Sequence, residues 1–276
     1  MNKPPTSEET PFIITKEYRL FAEFCEACRR YRYIGLCYGV PGVGKTLSAR
    51  HYAQWDLIET LAKPNYEDGP APPEVRDCHT VFYTPMVANT PRIIDHEVRN
   101  WRTRFQFVVW DARHDHQSDR PNDFIRPWEK PDPTELLIVD EVDRLKMQGL
   151  EQLRDIYDRS RLGLVLIGMP GIEKRMARYP QLYSRVGFVH RFNTLSVEEM
   201  HFILAHKWQQ LGLTLDPVDF TDHEAMVAII NITGGNFRLI QRLFTQIERI
   251  LQINELRMVT KQVVDTAREN LVIGTV

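Results

Sequence analysis

The chain alternates short, almost continuously apolar segments with longer segments in which apolar residues recur at helical spacing. The apolar segments are "YIGLCYG" (33–39), "HTVFYTPM" (79–86), "LLIVDE" (136–141) and "LGLVLIG" (162–168). Consecutive apolar positions over this length are typical of parallel strands that helices cover on both faces. The pattern therefore predicts an α/β domain built on a parallel sheet.

Segments with helical spacing lie between these strands, and the last part of the chain shows only this spacing. Residues 16–32 and 46–61 are predicted helices between strands, and from about residue 194 onwards we predict only helices. Two predicted helix starts there resemble capping boxes, Ser196 with Glu199 and Thr221 with Glu224. One helical face further on carries five apolar residues: Phe237, Ile240, Phe244, Ile247 and Leu251.

These patterns predict three parts: a disordered lead (1–15), a nucleotide-binding α/β domain (16–193) and a small all-helical domain (194–276). Residues 90–133 are rich in Trp, Arg, His and Asp and show no clear periodicity. We expect this insert to form a functional loop or hairpin.

Composition and charge exclude some classes of protein. The 276 residues carry a formal net charge of −2, with a pI near 6.5, which argues against a uniformly basic DNA-binding domain. No apolar run approaches the roughly 20 residues of a membrane span, and the N-terminus shows no secretion signal. We expect a bacterial cytoplasmic protein without membrane association.

The four cysteines favour reduced thiols rather than disulfides. Cys25 and Cys28 form a C-x-x-C pair that would suit zinc. They lie at helical spacing with apolar neighbours, however, and Cys37 and Cys78 do not supply a second ligand pair of suitable spacing. Core packing is the favoured interpretation.

The loop after the first predicted strand, "GVPGVGKT", has the spacing of a phosphate-binding loop. Its glycines let backbone N–H groups approach phosphates, and the following helix presents its positive end to them. Lys45 is predicted to contact the β- and γ-phosphates, and Thr46 to bind Mg²⁺. The predicted nucleotide-binding set is Gly39, Gly42, Val43, Gly44, Lys45, Thr46, Leu47 and Asp140.

Two acidic residues end the predicted strand "LLIVDE". Asp140 is suited to bind Mg²⁺ together with Thr46, and Glu141 to polarise a water for attack on the γ-phosphate. A P-loop kinase transfers phosphate to a substrate and needs no such water-activating acid. The pair therefore favours hydrolysis of ATP.

Together with "SR" before a predicted strand and "GGNFR" in the helical part, these motifs resemble an AAA+ ATPase with a five-stranded parallel sheet and a helical lid. Within that group, "IVDEVDRL", "LVLIGMPG" and "TGGNFRLIQRLF" resemble the TniB/TnsC branch of transposition target-selection regulators, to which MuB is more distantly related. The resemblance implies that Arg185 is an arginine finger and Arg238 the sensor-2 arginine. At the sensor-1 position, where Thr or Asn is usual, this chain has Met169, which implies slow hydrolysis or a substitute polar group.

The resemblance also implies that the protein assembles on duplex DNA as a filament or ring, without strong sequence preference. Four candidate DNA contacts are Arg92, Arg99, Arg102 and Arg104, and the segment 154–191 has a surplus of basic residues. Solvated surface charges are the alternative interpretation. His114 and His116 could bind a metal, although water-facing side chains are favoured, and Trp101 and Trp110 favour packing over base stacking.

The leading hypothesis is therefore an ATP-dependent regulator that marks a transposition target and recruits a transposase, together with a target-selector protein. The alternatives are a replication initiator or helicase loader of the same superfamily, a secretion-associated ATPase and a small-molecule P-loop kinase.

Overall fold

The computed structural model describes residues 12–63, 71–113, 131–216 and 218–271. Its centre is a parallel five-stranded sheet in the order β2-β3-β4-β1-β5. The strands are β1 (Ile34–Tyr38), β2 (Thr80–Tyr83), β3 (Leu136–Val139), β4 (Gly163–Gly168) and β5 (Val186–Arg191). The predicted fold class is confirmed, and the four apolar segments contain the first four strands.

The strand register determines where a site can form. Tyr38 of β1 pairs with Gly168 of β4, and Val139 of β3 pairs with Leu166 of β4. The carboxyl ends of these three central strands therefore lie side by side. In open parallel sheets, ligands bind at this edge, where the loops after the strands meet.

Helices cover the sheet and fill the connections between strands. Helix α1 (Lys16–Tyr31) follows Thr15, whose hydroxyl accepts from the Tyr18 N–H, and is capped at its C-terminus by Arg32 in a left-handed conformation. Its apolar face contributes Cys25 and Cys28 to the core, where both are fully buried, as core packing predicts. The remaining helices of this part are α2 (Lys45–Tyr52), α3 (Trp55–Leu61), α4 (Pro91–Arg113), α5 (Met147–Arg159), α6 (Ile172–Met176) and α7 (Pro180–Tyr183).

Two connections differ from the sequence-based prediction. The single helix expected over 46–61 is interrupted at Gln54, whose φ of 49° ends one helix and starts the next. The predicted loop or hairpin at 90–133 is wrong for residues 91–113, which form the long helix α4. Residues 114–130, including His114 and His116, lie outside the described residues.

The expected disordered lead is also wrong for its last residues. Phe12 stacks on His51 of α2 with a centroid distance of 3.7 Å, and Ile13 packs against a hydrophobic cluster formed by buried residues between 195 and 267. The Lys16 N–H donates to the Glu199 carboxylate. The segment 12–16 therefore contacts both the sheet-covering helices and the C-terminal helices.

The C-terminal part is helical and contains α8 (Val197–Gln210), α9 (Phe220–Thr233), α10 (Phe237–Ile253) and α11 (Lys261–Glu269). It has its own hydrophobic cluster, separate from the cluster around the sheet. The capping box at Ser196 is confirmed. The predicted cap at Thr221 is wrong, because Asp219 caps α9 and the helix begins one residue before Thr221.

None of the helices in the described ranges is long and apolar enough to cross a membrane.

Candidate nucleotide-binding site

A cavity of about 560 Å³ lies at the carboxyl edge of the sheet, between the loop after β1 and the start of α10. It brings together parts of the chain that are far apart in sequence. Its lining is Pro41, Gly42, Gly44, Lys45, Thr46, Leu47, Asp140, Glu141, Asp143, Ile167, Gly168, Met169, Phe237, Arg238, Gln241 and Arg242. Of the predicted nucleotide-binding set, Gly39 and Val43 do not line the cavity but support the loop that does.

The glycines have different roles in this loop. Gly42 has a φ of 86°, and a Cβ there would lie 2.5 Å from Asn236 Oδ1 and 2.9 Å from Arg238 Cβ. Gly44 has a φ of 109°, and no atom of the described residues would lie within 4 Å of a Cβ there. Glycine is therefore needed at this position for its backbone conformation. Gly39 packs against the Phe192 carbonyl, and Val43 is buried in the core.

Lys45 follows the loop as the first residue of α2 and is almost completely buried. Its ammonium donates to two carbonyls of the same loop, Gly39 O at 2.5 Å and Val40 O at 3.0 Å. Burial lowers the pKa of Lys45. Phosphate oxygens at the cavity edge would be stronger acceptors than these carbonyls.

Thr46 and Asp140 meet across the cavity floor. The Thr46 hydroxyl donates to Asp140 Oδ2 at 2.6 Å, and the Glu141 N–H donates to Asp140 Oδ1 at 2.8 Å. Asp140 is 3 % exposed, and burial raises its pKa despite these two hydrogen bonds. A hydroxyl and a carboxylate oxygen in contact are ligands that Mg²⁺ prefers, so these residues fit the predicted ion.

Glu141 lines the cavity in an unusual backbone conformation, with φ at 49° and ψ at 42°. Its carboxylate forms an ion pair with Arg144. Arg144 in turn donates to the Pro85 carbonyl at 2.9 Å, in the loop after β2. Glu141 is thus held by Arg144, which is itself bonded to the loop after β2.

Asp143 is a cavity residue that sequence reasoning missed. It lies in the short 3₁₀ helix Val142–Arg144, and its Oδ2 accepts from the Met169 N–H at 2.7 Å. A carboxylate therefore lies beside Met169, the predicted sensor-1 residue, whose thioether sulfur is only a weak hydrogen-bond acceptor. The spacing "DEVD" could have indicated it, since one helical turn returns Asp143 to the same edge.

Helix α10 closes the opposite wall and holds the loop directly. The Arg238 N–H donates to the Gly42 carbonyl at 2.9 Å, and Asn236 Nδ2 donates to the Pro41 carbonyl at 2.8 Å. Arg238, which the resemblance implies is the sensor-2 arginine, lines the cavity. Gln241 and Arg242, one turn further along, were not predicted.

Comparisons with known proteins show the family to which the chain belongs. A family model described as an AAA domain matches residues 28–176, which contain the phosphate loop, Asp140, Glu141 and four of the five strands. The chain belongs to the AAA domain family. A "Potential ATP-binding protein" of Staphylococcus aureus is 48 % identical to this AAA protein over 271 residues, covering 95 % of this chain and 97 % of that protein. The chain is therefore an ATP-binding protein of the AAA type.

A second relative is more distant and matches only part of the chain. The "Mu-like prophage FluMu DNA transposition protein B" of Haemophilus influenzae is 31 % identical over 118 residues, covering 40 % of this chain and 38 % of that protein.

Solved structures support the fold. The Thermotoga maritima RuvB Holliday junction branch migration motor matches with a TM-score of 0.58 at 16 % identity, covering 94 % of this chain and 70 % of that one. The Aeropyrum pernix ORC2 protein matches with a TM-score of 0.54 at 15 % identity, covering 95 % and 70 %. At these identities the likeness concerns the fold of the AAA protein alone.

The proposed arginine finger of this AAA protein lies away from its own cavity. Arg185 precedes β5 and forms a bidentate pair with Asp158 at the end of α5, with N–O distances of 2.6 and 2.9 Å. It also donates to the Gln181 carbonyl. Among the described residues, Arg185 is therefore not part of the lining of this cavity.

The four candidate DNA contacts all lie on α4, on a helix rather than on the expected loop. Arg102 pairs with Asp132 at 2.6 Å and donates to Ser160 Oγ at 3.3 Å. Arg104 lies over the Trp101 ring at 5.4 Å, and Trp101 itself packs against Trp55. Arg99 has a side chain 73 % exposed, with an ion pair to Asp95 one turn before it.

Carboxylates also neutralise part of the basic segment 154–191. Arg154 pairs with Glu151 and Asp158, and Arg159 pairs with Asp155. Asp155 and Asp158 belong to the segment and already count against its basic residues, so only Glu151, which lies outside it, lowers the net surplus further.

Proposed function

We propose that this AAA protein is an ATP-dependent DNA-binding regulator of transposition, which assembles on duplex DNA and recruits or activates a transposase. The observation that carries the proposal is the partial likeness to a DNA transposition protein B, combined with the nucleotide cavity described above. Hydrolysis of ATP would release the assembly from its target.

In this function Lys45 and the backbone of the phosphate loop bind the triphosphate, and Thr46 and Asp140 would hold Mg²⁺. The ion, when bound, supplies charge neutralisation on the phosphate oxygens. Asp140 has to be ionised for this role, although burial raises its pKa. A nearby cation favours the charged form and would reverse that shift.

Glu141 is the residue that would orient the attacking water. Its carboxylate forms an ion pair with Arg144, so catalysis requires this ion pair to open. The Met169 thioether cannot donate a hydrogen bond to a water and accepts one only weakly. The Asp143 carboxylate, which accepts from the Met169 N–H, is a polar group beside it. These features favour slow ATP hydrolysis, which would set how long the assembly stays on DNA.

Arg185 would complete the site of the adjacent subunit. An arginine supplied in trans accelerates phosphoryl transfer by about 10³–10⁵-fold. We therefore propose that ATP lies at a subunit boundary, between the cavity of one protomer and Arg185 of the next. Mixing Glu141→Gln protein with Arg185→Ala protein tests this, because some mixed boundaries then contain both intact groups and should regain activity that neither variant has.

DNA binding is proposed for the exposed start of α4. Arg92 and Arg99 are the better candidates for phosphate contacts. Arg102 forms an ion pair with Asp132, and Arg104 packs on the Trp101 ring. Contacts of this type bind phosphates and carry no sequence preference.

Sedimentation of the protein with a short random duplex tests the proposal. Large DNA-dependent particles should form with ATPγS and not with ADP or without nucleotide. Lys45→Ala should abolish assembly, whereas Glu141→Gln should retain ATP and stabilise the DNA-bound polymer. A monomer under all conditions, or faster loss of Glu141→Gln from DNA than of the wild type, would overturn the mechanism.

A further inference from the structure

Helix α8 carries a buried cation that none of the assigned roles uses. Lys207 is 4 % exposed, and its ammonium donates to Gln210 Oε1 at 2.9 Å and to Gln241 Oε1 at 2.7 Å. Within the described ranges no carboxylate forms an ion pair with it. Buried lysines are usually paired with an acid, so two amide oxygens are unusual partners.

Only one of the two amide side chains that Lys207 contacts also lines the nucleotide cavity. Gln241 lines the nucleotide cavity, one turn after Arg238, whereas Gln210 does not. Lys207 therefore connects the interior of the helical part to the wall of the nucleotide site through the side chain of Gln241.

The chemistry of lysine fixes the orientation of this amide. An ammonium only donates hydrogen bonds, so the group facing Lys207 has to be the carbonyl oxygen of Gln241. The NH₂ group then has to point elsewhere, and it retains two donors. Among the described residues no acceptor is hydrogen-bonded to it. An amide without such a restraint could present either its oxygen or its nitrogen to the cavity.

We propose that Gln241 is a nucleotide-binding residue that donates to an acceptor atom of bound ATP, and that Lys207 is the positioning residue that holds its amide in the donating orientation. Together with Arg238 and Arg242, Gln241 gives the α10 wall three donor side chains facing an acceptor-rich ligand. The inference rests on the nucleotide-binding role of the cavity and does not depend on DNA or transposition.

Two matched substitutions test the binding role. Gln241→Glu and Gln210→Glu each give Lys207 a carboxylate partner in place of an amide oxygen that it already contacts, at 2.7 and 2.9 Å. Each substitution adds one negative charge. Only position 241 faces the nucleotide, where a carboxylate offers acceptors in place of donors. We expect Gln241→Glu to weaken ATP binding in calorimetric titration by about tenfold or more, the loss of one hydrogen bond to a charged group. Gln210→Glu should remain within about twofold of the wild type.

The positioning role is tested by a double-mutant cycle. Lys207→Met removes the restraint, and in the wild-type background we expect ATP binding to weaken by about two- to fivefold as the amide loses its fixed orientation. In a Gln241→Met background, the same Lys207→Met change should leave the dissociation constant unaltered. A purely structural lysine would lower affinity equally in both backgrounds. Each variant is titrated below its own thermal midpoint, so that loss of fold does not count as loss of affinity.

The outcomes separate this inference from the proposed function. Equal ATP affinities for Gln241→Glu and Gln210→Glu would overturn the role of Gln241 while leaving the AAA site intact. If the wild type binds ATP as expected but no DNA-dependent particles form, the transposition proposal fails and the Gln241 result stands.

Discussion

The bidentate pair between Arg185 and Asp158 allows a quantitative test of the proposed subunit boundary. If Arg185 acts on the nucleotide of a neighbouring protomer, it first has to leave Asp158. The pair then opposes assembly, and weakening it should make assembly easier. The substitution that tests this is Asp158→Asn, which keeps the shape of the side chain and one acceptor oxygen but removes the charge.

The size of the effect follows from the exposure of the pair. The side chains of Arg185 and Asp158 are 32 % and 29 % exposed, so solvent screens them and the pair stabilises by only about 0.5–1 kcal/mol. Since 1.4 kcal/mol corresponds to tenfold in an equilibrium constant, the change should be roughly two- to fivefold. The assay is ATP hydrolysis at saturating duplex and Mg·ATP as a function of protein concentration. The concentration that gives half-maximal activity should fall two- to fivefold, with the same plateau.

Asp155→Asn is the matched control, because Asp155 lies on the same helix and pairs with Arg159 at 2.9 Å. It should leave the half-maximal concentration unchanged. Arg154 keeps its contact with Glu151 when Asp158 is altered, so both variants should lose no more than about 1 kcal/mol of stability. A half-maximal concentration that stays constant or rises in Asp158→Asn would refute the idea that this pair restrains Arg185.

Three further predictions concern the phosphate loop, the buried acid and the DNA surface. Because burial raises the pKa of Asp140 above its ordinary value of 3.8, ionised Asp140 destabilises the nucleotide-free protein at neutral pH, and this penalty disappears as the pH falls through the raised value. Asp140→Asn should therefore raise the free energy of unfolding at pH 7 by about 1 kcal/mol while abolishing ATP hydrolysis. The gain should shrink as the pH falls towards 3.8 and vanish below that value, and a loss of stability in urea titrations at pH 7 would contradict it. Gly42→Ala should lower the free energy of unfolding by about 2 kcal/mol or more and prevent nucleotide binding, because backbone strain and the clash with α10 add up. The control is Gly212→Ala, where φ is 71° and the described residues leave open space around a Cβ. It should lower the free energy of unfolding by about 1 kcal/mol in the same denaturation assay. In DNA titrations, Arg99→Ala should reduce the slope of log K against log salt concentration by about 0.9, and Arg102→Ala should leave this slope unchanged. The opposite result would indicate that DNA contacts α4 at Arg102 rather than at Arg99.

The sheet and the phosphate loop could be predicted because their sequence patterns have few physical alternatives. Consecutive aliphatic residues such as 136–139 suit a strand covered on both faces, and a glycine loop ending in Lys45 and Thr46 suits phosphate. Helix α4 escaped prediction although Ile94, Val98 and Phe105 lie on one helical face and are buried. Charged and aromatic residues between them obscured the period, and only packing against the sheet reveals which positions matter.

The rest of the site depends on tertiary contacts that local sequence does not specify. Gln241 reaches the cavity because the start of α10 docks on the phosphate loop, with the Arg238 N–H bonded to the Gly42 carbonyl. Arg102 is engaged because Asp132, thirty residues away in sequence, folds beside it. Arginine counts alone therefore overestimate the charge available to DNA.

The four cysteines all lie in the hydrophobic cluster around the sheet. Burial raises the pKa of Cys28 to about 12 and that of Cys78 to about 11. Since the thiolate is the reactive form, alkylating reagents should modify the native protein only when this part of the fold opens. Cys37 belongs to β1, the strand that leads into the phosphate loop. The rate of its alkylation would thus report, without any added probe, how often the sheet core opens and how strongly bound ATP suppresses that opening.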